Sequence, residues 1–334
     1  KNLWTEQKIG EQITVVPAEN EHAEAQFVLE TMQEILGQGR LLKDMVVLYR
    51  TNAQSRPIEE VFLENNFPYK IIGGVKFYQR KEVKDIIAYL RTLVNPSDLV
   101  SLKRIINIPA RGIGKKSLSS YLARLTNATS PLIIRQATAD ALDKFDQTLH
   151  ALREKMSQEN ATSFLKHLLA AINYQTHLEE ASKNAEERWQ NVEELVSLAK
   201  KYDEIAPPNG LHRLLEDVAL MSDTDEADAL KDMVSLMTIH AAKGLEFPIV
   251  FIVGLEEGVF PHSRSLFQPS ELEEERRLCY VGLTRAKEKV FLSFALSRTH
   301  FGATQINPPS RFLNEIPEEL LDIQDEGIGA ITLD

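Results

Sequence analysis

Hydrophobic and polar positions follow two different periods along the chain, and the change of period divides it into three parts. In the first and last parts, short apolar runs of strand length alternate with amphipathic helical patterns. Runs that are apolar throughout predict strands covered on both faces, as in a parallel sheet between helices. From about Asn95 to Lys231 the helical period dominates, and no run there predicts a strand. We therefore predict an α/β protein interrupted by an all-helical insertion.

The predicted strands are rich in β-branched and apolar residues. They are Gln12–Val16, Asp44–Arg50, Tyr69–Ile72, Val234–Ile239, Pro248–Val253 and Val290–Phe294. The predicted helices of the α/β parts are Glu19–Leu36, Gln54–Asn65, Lys81–Leu93 and a helix from Ser270 to about Gly282. Ser270 and Glu273 have the spacing of a capping box at the start of the last helix.

The same change of period predicts the domain boundaries. Residues 1–94 and 232–322 are expected to form two segments of one domain, and residues 95–231 an inserted helical domain. Residues 323–334 have no clear pattern and are expected to be a disordered tail. Because the chain is expected to cross between the domains only near Asn95 and Lys231, the insertion is expected to swing about these two connections.

Composition is that of an ordinary globular protein. Of 334 residues, 43% are apolar and 26% are charged. No apolar run has transmembrane length, no signal peptide is recognisable, and the one cysteine, Cys279, is expected in the core, so a cytoplasmic location without membrane contact is predicted. The formal net charge is −11, yet residues 95–125 carry six Lys or Arg against one Asp, a net of +5. Local charge therefore permits a polyanionic partner.

The densest group of chemically active side chains lies in residues 234–254, VSLMTIHAAKGLEFPIVFIVG. Two predicted strands flank a polar segment that contains Thr238, His240, Lys243 and Glu246. In open α/β sheets, ligands bind outside the carboxyl ends of the strands. A polar connection capped by Gly244 is the alternative. The pattern itself favours a nucleotide or a phosphate-bearing polymer.

This string resembles motif V of the UvrD/PcrA/Rep-type superfamily 1 DNA helicases. Residues 273–287, EEERRLCYVGLTRAK, resemble motif VI of the same family and follow in the expected order. Four further stretches are similar to the family: VLYRTNAQSRPIEE (47–60), GGVKFYQRKEVKDIIAYLR (73–91), INIPARGIG (106–114) and PPSRFLNEIP (308–317).

The resemblance implies the second of the family's two RecA-like motor domains, together with its inserted helical DNA-binding domain. The family binds ATP with Mg²⁺ between the two motor domains. The chain has no G-x-x-x-x-G-K-[ST] loop, no evident Walker B carboxylate and no metal-ligand spacing. We therefore expect the carboxy-terminal part of a longer ATP-dependent DNA helicase, inactive alone, whose missing amino-terminal half holds the Mg²⁺.

The resemblance also assigns the nucleotide contacts. Arg285 in GLTRA occupies the position of the motif VI arginine finger, a fixed charged fork that stabilises the transferring phosphoryl group. Glu246 is implied to accept a hydrogen bond from the ATP ribose. A surface arginine and a solvated carboxylate are the alternatives. Arg276 and Arg277 resemble motif VI arginines too, with i,i+4 ion pairs to Glu273–Glu275 as the alternative.

Single-stranded DNA is the second implied ligand. Arg50, Asn52, Thr238 and His240 match family residues that line the DNA track. Their side chains donate hydrogen bonds to phosphates without sequence preference. Lys243 could pair locally with Glu246, and its role stays open.

A site for duplex DNA is predicted at the Gly-Ile-Gly turn of the insertion. Its residues are Arg111, Gly112, Ile113, Gly114, Lys115 and Lys116. Such a turn into a helix directs backbone N–H groups towards an anion, as in helix–hairpin–helix DNA binders. An ordinary glycine-rich turn is the alternative.

Three functions are compatible with these residues. The first is part of a helicase that translocates on single-stranded DNA and unwinds duplex in repair or replication, with repair or transcription proteins as further partners. The second is a non-catalytic DNA-binding or partner-recruiting module with a helicase-derived fold. The third is the helicase subunit of a nuclease–helicase complex, but no nuclease-like carboxylate cluster follows residue 300. Arg285 and Glu246 favour the first, because a binding module needs no ATP contacts.

Overall fold

The computed structural model describes residues 10–126, 134–222 and 232–324. Its strands are β1 (Ile13–Asn20), β2 (Met45–Tyr49), β3 (Tyr69–Ile72), β4 (Val234–Thr238), β5 (Phe247–Ile252), β6 (Ala286–His300), β7 (Ala303–Gln305) and β8 (Leu321–Ile323). Its α-helices are α1 (Glu21–Gly37), α2 (Ser55–Glu64), α3 (Lys81–Val94), α4 (Leu99–Ile105), α5 (Lys115–Thr126), α6 (Gln136–Met156), α7 (Ala161–Ala171), α8 (Tyr174–Ala181), α9 (Ala185–Ala199), α10 (Asn209–Ser222) and α11 (Pro269–Leu283).

The chain divides into two compact units. The sheet unit comprises Lys1–Lys76, Glu226–Thr299 and Thr304–Asp334, and the helical unit comprises Phe77–Asp225 and His300–Ala303. Each unit has its own apolar core, so each is described separately below.

The sheet has the strand order β3-β4-β2-β5-β6-β1-β8, with β7 beside β6. Every registered pair along this path is parallel. Helices cover both faces, which confirms the predicted α/β class and agrees with a RecA-like domain. The six predicted strands are all present, although β6 is three times as long as the predicted Val290–Phe294.

Strand β2 shows why the predicted strands are apolar throughout. Met45, Val47 and Tyr49 pack with residues of α1 and α2 on one face, while Val46 and Leu48 pack with residues of α11 on the other. Both faces are therefore buried, as expected for a parallel sheet between helices. Cys279 of α11 lies in this second core, where burial above all raises the pKa of its thiol to about 12, so it is a core residue.

The start of α11 differs from the prediction. The helix begins at Pro269, its N-cap is Gln268, and no side chain caps it. Proline is favoured in the first helical turn because its missing N–H would have no partner there. The capping box predicted for Ser270 and Glu273 is therefore wrong.

The end of the described chain also differs from the prediction. Ile323, expected to begin a disordered tail, belongs to β8 and pairs with Val15 of β1. The Gln324 N–H donates to the Val15 carbonyl at 3.0 Å. Backbone hydrogen bonds and burial of Leu321 hold this strand. Three residues are too few to show an alternation of apolar and polar positions, so the sequence gives no sign of it. Residues 325–334 of the predicted tail lie outside the described residues.

The helical unit has one core, built around α3. Its residues Val83, Ile86, Ile87 and Leu90 are buried as predicted, and the helix packs against α4, α9 and α10. The predicted domain boundary at Asn95 places α3 in the motor domain, whereas in the structure α3 belongs to the helical unit. Across the described residues of 77–222 this unit contains helices and no strand.

The helical unit also includes the turn between β6 and β7. Phe301 has φ +48° and its ring centroid lies 6.2 Å from that of Trp189. A Cβ on Gly302 would overlap Thr162, so the glycine permits this close approach. The chain therefore crosses between the units four times, and not only at the two predicted connections.

A buried ion cluster holds the segment after β5 against the sheet. Arg298 donates to Glu24 at 2.8 Å and to Glu256 at 2.6 Å, and the three side chains are almost fully buried. Burial raises the pKa of Glu256, but the Arg298 charge and hydrogen bonds outweigh it and hold the pKa below its usual 4.5. The free energy of unfolding therefore includes a term that is present above this ordinary pKa and is lost as the pH falls through the lower folded-state value.

Arg298→Met should lower the free energy of unfolding by about 3–5 kcal/mol at neutral pH, because two buried carboxylates lose their partner. Arg311→Met is the matched control. Arg311 pairs with Glu257 at 2.7 Å, but its side chain is 45% exposed, so a loss of about 1 kcal/mol or less is expected. Urea unfolding of both variants measures the difference, and equal losses would contradict the assignment.

Candidate nucleotide and DNA sites

The parallel sheet separates the predicted site residues onto two opposite edges. Tyr49 pairs with Thr238 at the carboxyl ends of β2 and β4, whereas Phe247 pairs with Ala286 at the amino ends of β5 and β6. Leu48 pairs with Ile252 and the next residue, Tyr49, pairs with Thr238, so the residue after Ile252 is level with Thr238. Phe247 precedes that residue by six positions along β5. At ~3.3 Å per residue this is about 20 Å. We call the two groups the carboxyl edge and the amino edge.

Arg285 lies at the amino edge, immediately before β6. Its guanidinium donates from Nε to the Val281 carbonyl at 2.9 Å, from Nη1 to the Leu245 carbonyl at 2.9 Å and from Nη2 to Thr284 Oγ1 at 3.1 Å. All three acceptors are neutral, and among the described residues no carboxylate pairs with Arg285. The guanidinium is thus held in place while its positive charge is left for an incoming anion.

The end of α11 determines where Arg285 lies. A Cβ on Gly282 would lie 3.1 Å from Ile252 Cδ1, so glycine lets the last helical turn approach β5 closely. The backbone then turns, and the Arg285 carbonyl accepts the Phe247 N–H at 2.9 Å. This hydrogen bond joins the two strand starts at which Glu246 and Arg285 lie.

Glu246 is exposed at the same edge. Its carboxylate lies 3.6 Å from Lys287 Nζ, and both side chains are more than half exposed. The local pair with Lys243 that the sequence left open is not formed. Because an exposed pair contributes little, the Glu246 carboxylate can accept other donors.

Arg50 lies at the carboxyl edge and is held by a residue that the sequence analysis did not single out. Arg50 Nε donates to both carboxylate oxygens of Glu275, at 2.9 and 3.0 Å, and Nη2 donates to one of them at 2.6 Å. Glu275 was expected to pair within its own helix. Within α11, Arg276 pairs with Glu273 and Arg277 pairs with Glu274, each three positions apart rather than the predicted four. Arg276 also pairs with Glu315, outside the helix.

One signal in the sequence could have identified Glu275. It precedes Leu278 and Cys279 by three and four positions, so all three share the buried face of α11. A carboxylate on an apolar face needs a partner from another element, because an unpaired buried charge is costly.

Gln54 ties the strand ends around Arg50. Its side-chain oxygen accepts the N–H groups of Arg50 and Thr51, at 3.0 and 2.9 Å, and its Nε2 lies 3.5 Å from the Val253 carbonyl. A Cβ on Gly254 would overlap this Nε2, and Gly254 has φ +71°. Glycine is therefore required where β5 ends beside β2.

Thr238 and His240 begin the turn that leaves β4. Thr238 Oγ1 accepts the Ala241 N–H at 3.3 Å, which caps the turn. The His240 side chain is exposed, yet partial desolvation and then the Arg50 charge lower the pKa of its imidazole. This shift favours the neutral imidazole, which offers one N–H. Asn52 is half-buried in the short 3₁₀ turn Asn52–Gln54.

The Gly-Ile-Gly turn lies in the helical unit, and Arg111 points into the fold. Its Nη1 donates to the carbonyls of Ile105, Ile106 and Pro109 at 3.0–3.1 Å, and its guanidinium lies 4.7 Å from the Phe145 ring. Carbonyls at the end of a helix lack partners within the helix, and a cation stabilises them. Arg111 thus has a structural role here, in contrast to the phosphate contact that the sequence suggested.

Ile113 is also engaged within the fold. Its side chain is buried, its N–H donates to Asn107 Oδ1 at 3.1 Å and its carbonyl accepts Asn107 Nδ2 at 2.6 Å. Among the predicted duplex contacts, the exposed ones are Gly112, Gly114, Lys115 and Lys116.

Lys115 and Lys116 occupy the first turn of α5, and neither forms an ion pair with a described residue. A cation at a helix amino terminus is unfavourable, because the helix dipole is positive there. Helix stability therefore does not account for two lysines at this position.

The described residues contain no group of His, Cys, Asp or Glu arranged to hold a metal ion. In the same ranges, no helix is long and apolar enough to span a membrane.

Comparison with known proteins identifies the family of this chain. A model of the UvrD-like helicase C-terminal domain matches residues 1–297. The ATP-dependent DNA helicase PcrA of Bacillus subtilis is 44% identical over 340 residues, which cover 96% of this chain and 46% of that protein. PcrA of Leuconostoc citreum and of Staphylococcus aureus are each 41% identical, over 98% of this chain and 46% and 47% of theirs. The chain spans about half the length of the curated relatives it matches, and it belongs to the family of UvrD-like helicase C-terminal domains.

Proposed function

We propose that this chain works as the carboxy-terminal part of an ATP-dependent DNA helicase that translocates on single-stranded DNA and unwinds duplex during repair or replication. Its similarity to PcrA proteins, which are named as ATP-dependent DNA helicases, supports the proposal. In this proposal another part of the protein supplies the phosphate-binding loop and holds Mg²⁺, and the chain alone is inactive.

The observation that carries the proposal is the state of Arg285. Its guanidinium is fixed by two carbonyls and a hydroxyl, and no described carboxylate neutralises it. The residues fit ATP, because the Glu246 carboxylate at the same edge can accept hydrogen bonds from a ribose. ATP, when bound, supplies a phosphoryl group whose transfer spreads negative charge over its oxygens. Arg285 is preorganised to stabilise that charge.

The carboxyl edge supports the second half of the proposal, the track for single-stranded DNA. Arg50, Asn52, Thr238 and His240 follow the neighbouring strands β2 and β4, so they lie at one edge. A guanidinium, an amide, a hydroxyl and a neutral imidazole can each donate to phosphate oxygens. None of these contacts selects a base, as translocation along any sequence requires.

The exposed start of α5 supports duplex contact by the helical unit. The exposed surface here consists of the backbone of Gly112 and Gly114 and of two lysines without ion pairs, Lys115 and Lys116. Arg111 and Ile113 do not contribute to it, because they form hydrogen bonds within the helical unit. We therefore propose that the two lysines, with the helix amino terminus, bind phosphates of the duplex.

Arg285→Ala in the full-length helicase that contains this chain should lower ATP turnover by ~10³-fold or more, while single-stranded DNA binding persists. Arg285→Lys should also turn over slowly, because an ammonium cannot replace the planar fork. Steady-state ATP hydrolysis with saturating single-stranded DNA measures both.

Arg40→Ala is the matched control for that experiment. Arg40 is an exposed arginine of the sheet unit that pairs with Glu288, so its removal should leave turnover nearly unchanged. Near-normal turnover by Arg285→Ala would favour the reading of a DNA-binding module without a catalytic role.

Lys115→Ala combined with Lys116→Ala should weaken binding to junctions of duplex and single strand, and flatten the slope of log affinity against log salt by ~1–2. Binding to purely single-stranded DNA should change little. Arg111→Ala is the contrast, since it should lower thermal stability by removing hydrogen bonds inside the helical unit. Equal loss of junction and single-strand binding in the double variant would contradict the proposed duplex contact.

A further inference from the structure

Among the acidic residues of the motif VI string (273–287), Glu275 is the one whose carboxylate pairs with a residue outside its own helix. Glu273 and Glu274 form exposed pairs with arginines of α11, whereas the Glu275 side chain is only 6% exposed. Its carboxylate accepts three hydrogen bonds from Arg50 and one from the His262 N–H, at 3.1 Å. Buried carboxylates with this many donors are fixed in position.

The geometry of the pair leaves part of Arg50 available. Nε and Nη2 are occupied by Glu275, while Nη1 has no partner among the described residues. The Arg50 side chain is 21% exposed, so a ligand at the carboxyl edge can reach it. Glu275 thus holds the long Arg50 side chain in one orientation and leaves its Nη1 available as a hydrogen-bond donor.

The same pair acts on the neighbouring imidazole. The Arg50 charge lowers the pKa of His240, and the charges of Glu275 and Glu274 raise it, although partial desolvation is the largest influence. Glu275 therefore partly compensates the effect of Arg50 on the adjacent donor.

We propose that Glu275 is a positioning residue for single-stranded DNA: it holds Arg50 so that Nη1 donates to one backbone phosphate. This inference rests on the proposed function, since it assumes that the carboxyl edge is the DNA track. Because Arg50 is already ordered, its side chain loses less conformational entropy when DNA binds.

The test is the affinity of the full-length helicase for a fluorescent oligothymidylate, measured by anisotropy at fixed salt. Glu275→Gln keeps the side-chain volume but removes the charge, and should weaken binding about 10-fold, the scale of one lost charge-assisted hydrogen bond. Glu275→Asp keeps the charge and should recover a large part of the loss. Glu274→Gln is the matched control on the same helix and should bind normally.

A double-variant cycle separates positioning from structural support. If Glu275 acts through Arg50, then Glu275→Gln combined with Arg50→Ala should bind no more weakly than Arg50→Ala alone. A second readout is the pKa of His240, followed by NMR. It should fall in Glu275→Gln, because a negative charge is removed, and rise in Arg50→Ala.

Each outcome decides the proposal. Losses from Glu275→Gln and Arg50→Ala that simply add would show that Glu275 supports the fold and does not act through Arg50. Tighter binding by Glu275→Gln would show that Glu275 competes with DNA for Arg50, and unchanged binding or an Asp variant as weak as the Gln variant would also overturn positioning. If the unmodified helicase fails to bind oligothymidylate, the proposed function fails instead.

Discussion

The arrangement of the sheet unit depends on the parallel pairing of its strands. Because all registered strands point the same way, their carboxyl ends share one edge and their amino ends the opposite edge. A connection between two such strands must return across the sheet, so Thr238 and Glu246 lie at opposite edges although eight positions separate them. Helix α11 returns likewise, with Glu275 bonded at one edge and Arg285 following its end at the other.

Buried ion pairs join elements of the sheet unit that are far apart in the sequence. Glu275 joins α11 to the end of β2, and the cluster of Glu24, Arg298 and Glu256 joins α1, β6 and the segment after β5. Such pairs add little net stability over apolar contacts, but removing one partner leaves an uncompensated buried charge. Separating the elements that such a pair joins would therefore leave its buried charges unpaired.

Much of the fold and part of the site could be predicted from the sequence. Apolar runs identified the strands because burial on both faces leaves a local signal. Arg285 could be singled out only through the resemblance to motif VI. The ion pair of Glu275 was missed although the helical period places this residue on the buried face of α11, because nothing local identifies a partner 225 positions away. Arg111 was assigned to DNA because its charge was considered without its contacts to the carbonyls at and after the end of α4. Strand β8 is three residues long and is held by backbone hydrogen bonds, which leave no side-chain pattern.

In the proposed function, this chain completes an ATP-hydrolysing site that it does not form alone. The most direct measurement joins the amino-terminal half of Bacillus subtilis PcrA to this chain and compares ATP turnover by the joined protein and by each part, with and without single-stranded DNA. The account predicts no turnover by the chain alone and DNA-stimulated turnover by the joined protein that far exceeds the sum of the parts. Turnover by the isolated chain, or a joined protein no faster than its amino-terminal half, would contradict the account.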